Sequence, residues 1–118
     1  MVDLIELAAK CRNPVVRNAL MAAASGRERD VAAARRLAFV AARDAGRDAN
    51  ATRAEHERFV RAALAAGLRG DPDAIDASLD MMEGIMDADA RLEEARNALR
   101  ALRKAGSAHP RHGDAARP

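Results

Sequence analysis

One histidine lies within the first 105 residues, and it is the side chain there best suited to bind a metal ion or a small ligand. His56 falls at helical spacing with Phe59, Val60 and Ala63, so we expect it to point into a helical core. A neutral imidazole in that position either hydrogen-bonds to a neighbour or binds a ligand. The sequence leaves both interpretations open, and His56 is the candidate metal ligand.

The other two histidines, His109 and His112, are three residues apart, a spacing that chelates a metal on an ordered helix. Pro110 lies between them, and residues 106–118 contain no apolar side chain larger than alanine. Such a composition cannot bury enough surface to order the chain. We therefore predict a disordered C-terminal tail at 106–118.

The second candidate site is the methionine-rich segment DMMEGIMD, residues 80–87. Helical spacing predicts an inner stripe that consists of Ile75, Leu79, Met82, Met86, Asp89, Leu92, Arg96 and Leu99. Met82 and Met86 match this stripe and Met81 does not. Methionine clusters fill cores or form adaptable binding surfaces, so we take Met81, Met82, Met86 and Asp89 as a candidate ligand or partner surface.

Asp89 places a charge on a stripe that is otherwise mostly apolar, and Arg96 does the same two turns later. A buried charge needs a partner, so each residue predicts an opposite charge on a facing helix. Such a pair either fixes the alignment of two helices or contacts a polar ligand.

Signatures of catalysis are missing from the sequence. It has no Ser–His–Asp spacing of note, no glycine loop that could bind phosphate and no His–Glu–Xaa–Xaa–His pattern. Cys11 is the one cysteine, which excludes an internal disulfide and a cysteine-based zinc site. The sequence therefore predicts a protein that is not an enzyme, with no catalytic residue.

The composition indicates an all-α protein. Alanine occurs 31 times, against 26 larger core formers, and Phe39 and Phe59 are the two aromatic residues.

Residues 71–94 hold nine acidic side chains and one basic, although the net charge of the chain is +2. Acidic side chains also alternate with the arginines between Arg27 and Arg61, so we expect no direct DNA binding. Neither a signal peptide nor a long apolar run is present, which favours a cytoplasmic protein without membrane contact.

Capping residues define where the predicted helices begin. Asp3 starts a helix that runs to about Arg12, and Asn13-Pro14 starts the next. Residues 14–45 form one helix or two, with a break near Gly26 favoured; Leu37 is on the predicted inner face. Residues 45–52 are predicted to be a connection, followed by a capping box of Thr52 and Glu55.

The final predicted helix begins at Asp71-Pro72 and continues to about Ala105, with a bend at Gly84. The resulting fold is an antiparallel bundle of four to five helices with a long C-terminal helix, in a single domain at 1–105. Because a core rich in alanine buries little surface, we expect completion by dimerisation.

The order of these motifs resembles the C-terminal effector-binding domain of GntR-type transcriptional regulators of the FadR subfamily. The likeness rests on Arg-Asn-Pro-Val at 12–15, Glu55-His56 at a helix start and Gly70-Asp71 before the closing helix. The resemblance implies a helical domain that dimerises and binds an effector. Family members with a metal site use an aspartate and three histidines, and of the three histidines His56 alone has a counterpart here. We therefore predict no bound cofactor, and His56 is the remaining position for a divalent metal.

The winged-helix DNA-binding domain of that family is absent from this sequence. We therefore predict a non-enzymatic regulatory or interaction module, similar to a truncated effector-binding and dimerisation domain, with a small ligand near His56. The alternative is a helical adaptor or secretion-type chaperone that binds a partner helix in an apolar groove. The expected partner is a second copy of the chain or another helical protein.

Overall fold

The computed structural model describes residues 3–108, with side chains to residue 106, and this part of the chain is helical throughout apart from short connections. The four helices are α1 (Leu4–Lys10), α2 (Pro14–Ala23), α3 (Glu28–Ala65) and α4 (Pro72–Ala108). The predicted all-α fold with a long C-terminal helix is confirmed. Helix α4 extends three residues beyond its predicted end, and the rest of the expected tail, with His109 and His112, lies outside the described residues.

The predicted N-terminal caps are confirmed at three helices. The carboxylate of Asp3 accepts hydrogen bonds from the backbone N–H groups of Ile5 and Glu6. The side chain of Asn13 caps α2 in the same way, and Pro14 occupies the first helical position. Asp71 accepts from the N–H of Ala74 at the start of α4, at 3.0 Å. These caps satisfy amide groups that have no partner inside the helix.

The favoured break near Gly26 is also confirmed, because α2 ends at Ala23 and α3 begins at Glu28. Gly26 has φ +78°, a left-handed conformation that glycine adopts without steric cost.

The predicted connection at 45–52 and the Thr52–Glu55 capping box are wrong, because α3 runs through both without interruption. The hydroxyl of Thr52 donates to the carbonyl of Asp48 at 2.7 Å, a bond that a threonine makes inside a helix. Ala49 is fully buried here. Burial of this side of α3 keeps the segment helical although it contains glycine and asparagine.

The turn between α3 and α4 is closed by two hydrogen bonds. The N–H of Gly67 donates to the carbonyl of Leu64, and the N–H of Leu68 donates to that of Ala63. This pair of bonds is the Schellman motif, and Gly67 adopts the positive φ, +75°, that it requires.

The described part of the chain divides into two compact units, one formed by residues up to Arg43 and from Glu93 onward, and one by Asp44–Leu92. In the first, α1, α2 and parts of α3 and α4 pack around a core in which Val16, Leu20 and Leu102 are the largest fully buried side chains. Most other core residues are alanines, as the composition predicts. Leu37 is a correction: it lies on the outer side of α3 and is 49% exposed.

A carboxylate of α4 fixes the connection between α1 and α2 in this first unit. The Glu94 carboxylate accepts hydrogen bonds from the backbone N–H groups of Arg12 and Asn13, at 2.9 and 3.0 Å. The guanidinium group of Arg17 donates to the carbonyls of Cys11 and Arg12. The side chains of Glu94 and Arg17 thus provide hydrogen-bond partners for backbone N–H and C=O groups that have none within a helix.

Candidate functional site

The second unit, Asp44–Leu92, is a helical hairpin made of the end of α3, the turn and the first part of α4. A Cβ atom built on Gly46 would lie 3.8 Å from Leu92 Cδ1, and one on Gly84 would lie 3.8 Å from Thr52 Cγ2. His56 contacts Ser78 closer to the turn. These pairings run in opposite directions along the two helices, as an antiparallel hairpin requires.

The hairpin interface uses positions that alternate in steps of four and three residues, the spacing of a coiled coil. Each of its members is buried or half-buried: Ala45, Ala49, Thr52, His56, Phe59 and Ala63 on α3, and Ala74, Ser78, Met81, Ile85, Ala88 and Leu92 on α4. Ala49 and Ala88 are the hydrophobic residues of this unit that are buried rather than half-buried. The interface is therefore narrow and buries no large side chain completely.

His56 lies in this interface, as its spacing predicts. Its Nε2 atom is 2.8 Å from Oγ of Ser78, and both residues are half-buried. Either tautomer makes this bond, because a hydroxyl group both donates and accepts. The contact joins the two helices and supplies the hydrogen-bonding neighbour that one interpretation of His56 anticipates.

Asp89 forms an ion pair with Arg53 on the facing helix. The predicted opposite charge is therefore present for Asp89. Both side chains are between two-fifths and one-half exposed, so the pair lies at the edge of the interface and not within it. Surface pairs of this kind contribute little to stability, but they define which sides of the two helices are adjacent. Arg96 is a correction, because it is exposed.

The predicted inner stripe of α4 is wrong between Ile75 and Met86. Ile75, Leu79, Met82 and Met86 are 47%, 52%, 46% and 71% exposed, whereas Met81 is half-buried in the hairpin interface. The expectation for the three methionines is thus reversed. The physical reason is that α4 carries two apolar stripes, and the helix packs on the one with smaller residues. We call the outer four residues the exposed stripe.

The Arg53–Asp89 pair shows what lies beside the exposed stripe. Asp89 continues the spacing of Met82 and Met86, so Arg53 is on the same side of the hairpin as the stripe. Val60 and Leu64 follow Arg53 at helical spacing on α3. Leu64 is 55% exposed and Val60 is half-buried, so this side of the hairpin presents apolar side chains from both helices.

The other side of the exposed stripe is acidic. Asp76, Asp80, Glu83 and Asp87 form a row one position further around α4. From Pro72 to Leu92 the helix carries six acidic residues and one basic residue, Arg91. Arg91 pairs with Asp87 at 3.3 Å. A partner of the exposed stripe would therefore meet a negative surface on one flank.

Within residues 3–108, no group of three or more histidine, cysteine or acidic side chains is arranged to hold a metal ion. No described helix is both long enough and apolar enough to cross a membrane.

No protein-family model, curated protein sequence or solved structure matches this chain. The resemblance to the effector-binding domain of GntR-type regulators therefore stays a prediction.

Proposed function

We propose that this protein is a non-enzymatic interaction module that binds a helical partner along the exposed stripe of α4. The observation that carries the proposal is the position of Ile75, Leu79, Met82 and Met86, which form a continuous apolar row outside the hairpin interface. Large apolar residues grouped on a surface are typical of sites that bind another protein. A single helix laid along this row would bury all four side chains.

The shape of the surface supports a helical partner. The stripe spans three helical turns, and Val60 and Leu64 extend it across α3. A neighbouring helix packs on another through residues spaced by three and four, which is the spacing of the stripe. Two of the four side chains are methionines, whose flexible thioethers adapt to different partner surfaces.

The proposal gives His56 a structural role. Its Nε2 atom is engaged with Ser78, which joins α3 to α4 beneath the surface that presents the stripe. A regulatory or dimerisation role of the kind that the family resemblance implies is compatible with docking on this surface. A small ligand near His56 has no separate observation in its favour.

Binding of amphipathic peptides tests the proposal. The test uses two fluorescently labelled helical peptides with the same apolar face. In one peptide lysine and arginine flank this face, and in the other glutamate does. Each peptide is titrated with the protein, and binding is followed by fluorescence anisotropy. We expect the basic peptide to bind, and Leu79→Gln with Met82→Gln to weaken it by roughly tenfold or more, because two half-exposed apolar side chains leave the interface.

The matched control is Met21→Gln, since Met21 is an equally exposed methionine (54%) on α2. It should leave binding unchanged. Equal effects of the double change Leu79→Gln with Met82→Gln and of the control Met21→Gln, or no binding of either peptide, would contradict the proposal.

A further inference from the structure

The first unit of the chain has an exposed surface that combines apolar and basic side chains, whereas the exposed stripe is flanked by acidic ones. Leu37, Phe39 and Val40 on α3 are 49%, 53% and 41% exposed. Arg36 and Arg43 lie one turn before and one turn after Phe39 and Val40, on the same side of the helix. Leu37 is two positions from Phe39 and so lies on a different side of α3; we call Arg36, Phe39, Val40 and Arg43 the basic face.

The charges of the two surfaces are complementary. Arg29, Arg36 and Arg43 repeat every seven residues, which keeps them on one side of α3. The exposed stripe is bordered by Asp76, Asp80, Glu83 and Asp87. The exposed stripe thus has acidic side chains along one flank, whereas on the basic face Arg36 and Arg43 lie between Phe39 and Val40, so the two surfaces combine large apolar residues with charges of opposite sign.

We propose that the exposed stripe of one copy of the chain docks onto the basic face of α3 in a second copy. This inference rests on the proposed docking function and names the partner. A second copy fits as the partner because the chain carries both complementary surfaces. Every molecule that presents an exposed stripe therefore comes with an equal concentration of basic faces. Docking would cover Leu79 and Met82 on one copy and Phe39 and Val40 on the other.

Charge disfavours the simplest alternative, in which the exposed stripes of two copies pair with each other. That arrangement would bring Asp80 and Glu83 of one copy towards the same residues of the other. Like charges placed across an interface weaken it. Pairing of stripe with basic face replaces this repulsion by attraction between carboxylates and guanidinium groups.

The narrow interface of the hairpin favours a partner that is always available to cover the exposed stripe, as a second copy of the chain is. Within Asp44–Leu92 the buried hydrophobic residues are Ala49 and Ala88, and no larger side chain reaches that degree of burial. A two-helix unit with so little buried surface gains stability when a further helix covers it. Contact with a second copy would supply that helix.

Mixing of two variants tests the proposal. The stripe variant carries Leu79→Gln and Met82→Gln, and the face variant carries Phe39→Gln and Val40→Gln; all four positions are 41–53% exposed. Sedimentation equilibrium measures association of each protein from micromolar to millimolar concentration. We expect the wild-type chain to self-associate, less strongly at high salt, and each variant to be weakened by roughly tenfold or more.

The mixture is the decisive sample. The stripe variant retains an intact basic face and the face variant retains an intact stripe, so an equimolar mixture should form a heterodimer that neither forms alone. A face variant that associates like the wild type, beside a monomeric stripe variant, would indicate pairing between stripes and overturn the proposal. A wild-type chain that stays monomeric throughout would overturn it as well.

Charge reversal keeps the test valid if the glutamine variants lose their fold, which circular dichroism would reveal. Glu83→Arg and Arg36→Glu should each weaken association, and the two changes in one chain should restore part of it. Failure of all three variants to differ from the wild type overturns the proposal.

The peptide titration separates the docking function from the identity of the partner. A monomeric protein that still binds the basic peptide through its stripe keeps the docking function and loses only the second copy as partner.

Discussion

Replacing Glu94 by alanine removes the two carboxylate oxygens that accept hydrogen bonds from the connection between α1 and α2. Oε1 accepts from the N–H of Arg12 at 2.9 Å and Oε2 from the N–H of Asn13 at 3.0 Å. Neither N–H has a partner inside a helix, because α1 ends at Lys10 and Asn13 is the N-terminal cap of α2. Glu94 thus links α4 to a turn that is distant in sequence.

The magnitude follows from the type of bond. A hydrogen bond to a charged group contributes about 1.5–3 kcal/mol when buried, and loss of both bonds does not add fully. Glu94 is half-buried and the Arg12 bond is exposed, so each bond contributes near the lower end of this range, about 1.5 kcal/mol, and the two together contribute somewhat less than twice that. We expect Glu94→Ala to lower the free energy of unfolding by about 2–3 kcal/mol. Glu94→Gln retains one acceptor oxygen and should cost roughly half as much.

Urea unfolding followed by far-ultraviolet circular dichroism measures both variants, with the free energy of unfolding extrapolated linearly to water. Glu93→Gln is the matched control. Glu93 is the neighbouring acid on the same helix, and it pairs with Arg100 on the surface, where both side chains are more than half exposed. Its replacement should cost less than about 0.5 kcal/mol, as surface ion pairs usually do.

Two results would refute this reasoning. A Glu94→Ala variant as stable as the wild type would mean that water replaces the carboxylate at no cost. Equal losses for Glu94→Gln and Glu93→Gln would mean that the charge of this part of α4 matters, and not the bonds to the two N–H groups.

Three further predictions concern the Cys11 thiol and two glycines. Burial, and secondarily the charge of Glu94, raises the pKa of the Cys11 thiol above its usual 9.0. Because the unfolded state then releases its proton first, the urea midpoint should fall as pH rises above about 9, and Cys11→Ala should abolish that fall. Gly67→Ala places a side chain at φ +75° and should cost about 1–2 kcal/mol. Gly84→Ala, inside α4 with only an ordinary 3.8 Å contact to Thr52, should instead stabilise by about 0.5–1 kcal/mol in thermal unfolding.

Features that depend on nearby residues could be predicted from the sequence. The side chains of Asp3, Asn13 and Asp71 each cap a helix by accepting hydrogen bonds from backbone N–H groups two or three residues ahead. Gly26 ends a helix because of its own backbone freedom. The energy of such a feature is almost entirely local, so a short stretch of sequence contains the information that determines it.

Thr52 shows where this approach fails. A threonine followed three residues later by glutamate is typical of a helix start, and the glycine and asparagine before it are typical of a loop. Inside a helix, however, the same hydroxyl bonds to the carbonyl four residues earlier, as it does here with Asp48. Burial of Ala49 decides between the two, and that burial depends on a helix that begins more than 20 residues later.

The exposed stripe could not be assigned from periodicity, although its residues could be found. Helical spacing identifies Ile75, Leu79, Met82 and Met86 as one row, and their size suggests the core. A second row on the neighbouring side of α4 faces α3, and it has small residues at Ala74, Ser78 and Ala88 beside the larger Met81 and Ile85. Small side chains let two helix axes approach closely, so the hairpin is joined through the row with less hydrophobic surface.

That choice has a consequence for function. A helix that placed its larger apolar residues in its own hairpin would be complete alone, and its outer surface would be free to become polar. In α4 the larger row is left outside, next to a row of carboxylates that would repel an identical row. Exposed apolar rows promote aggregation unless something covers them. We therefore propose that the exposed stripe binds a partner with apolar residues and basic charge, and the basic face of α3 has both.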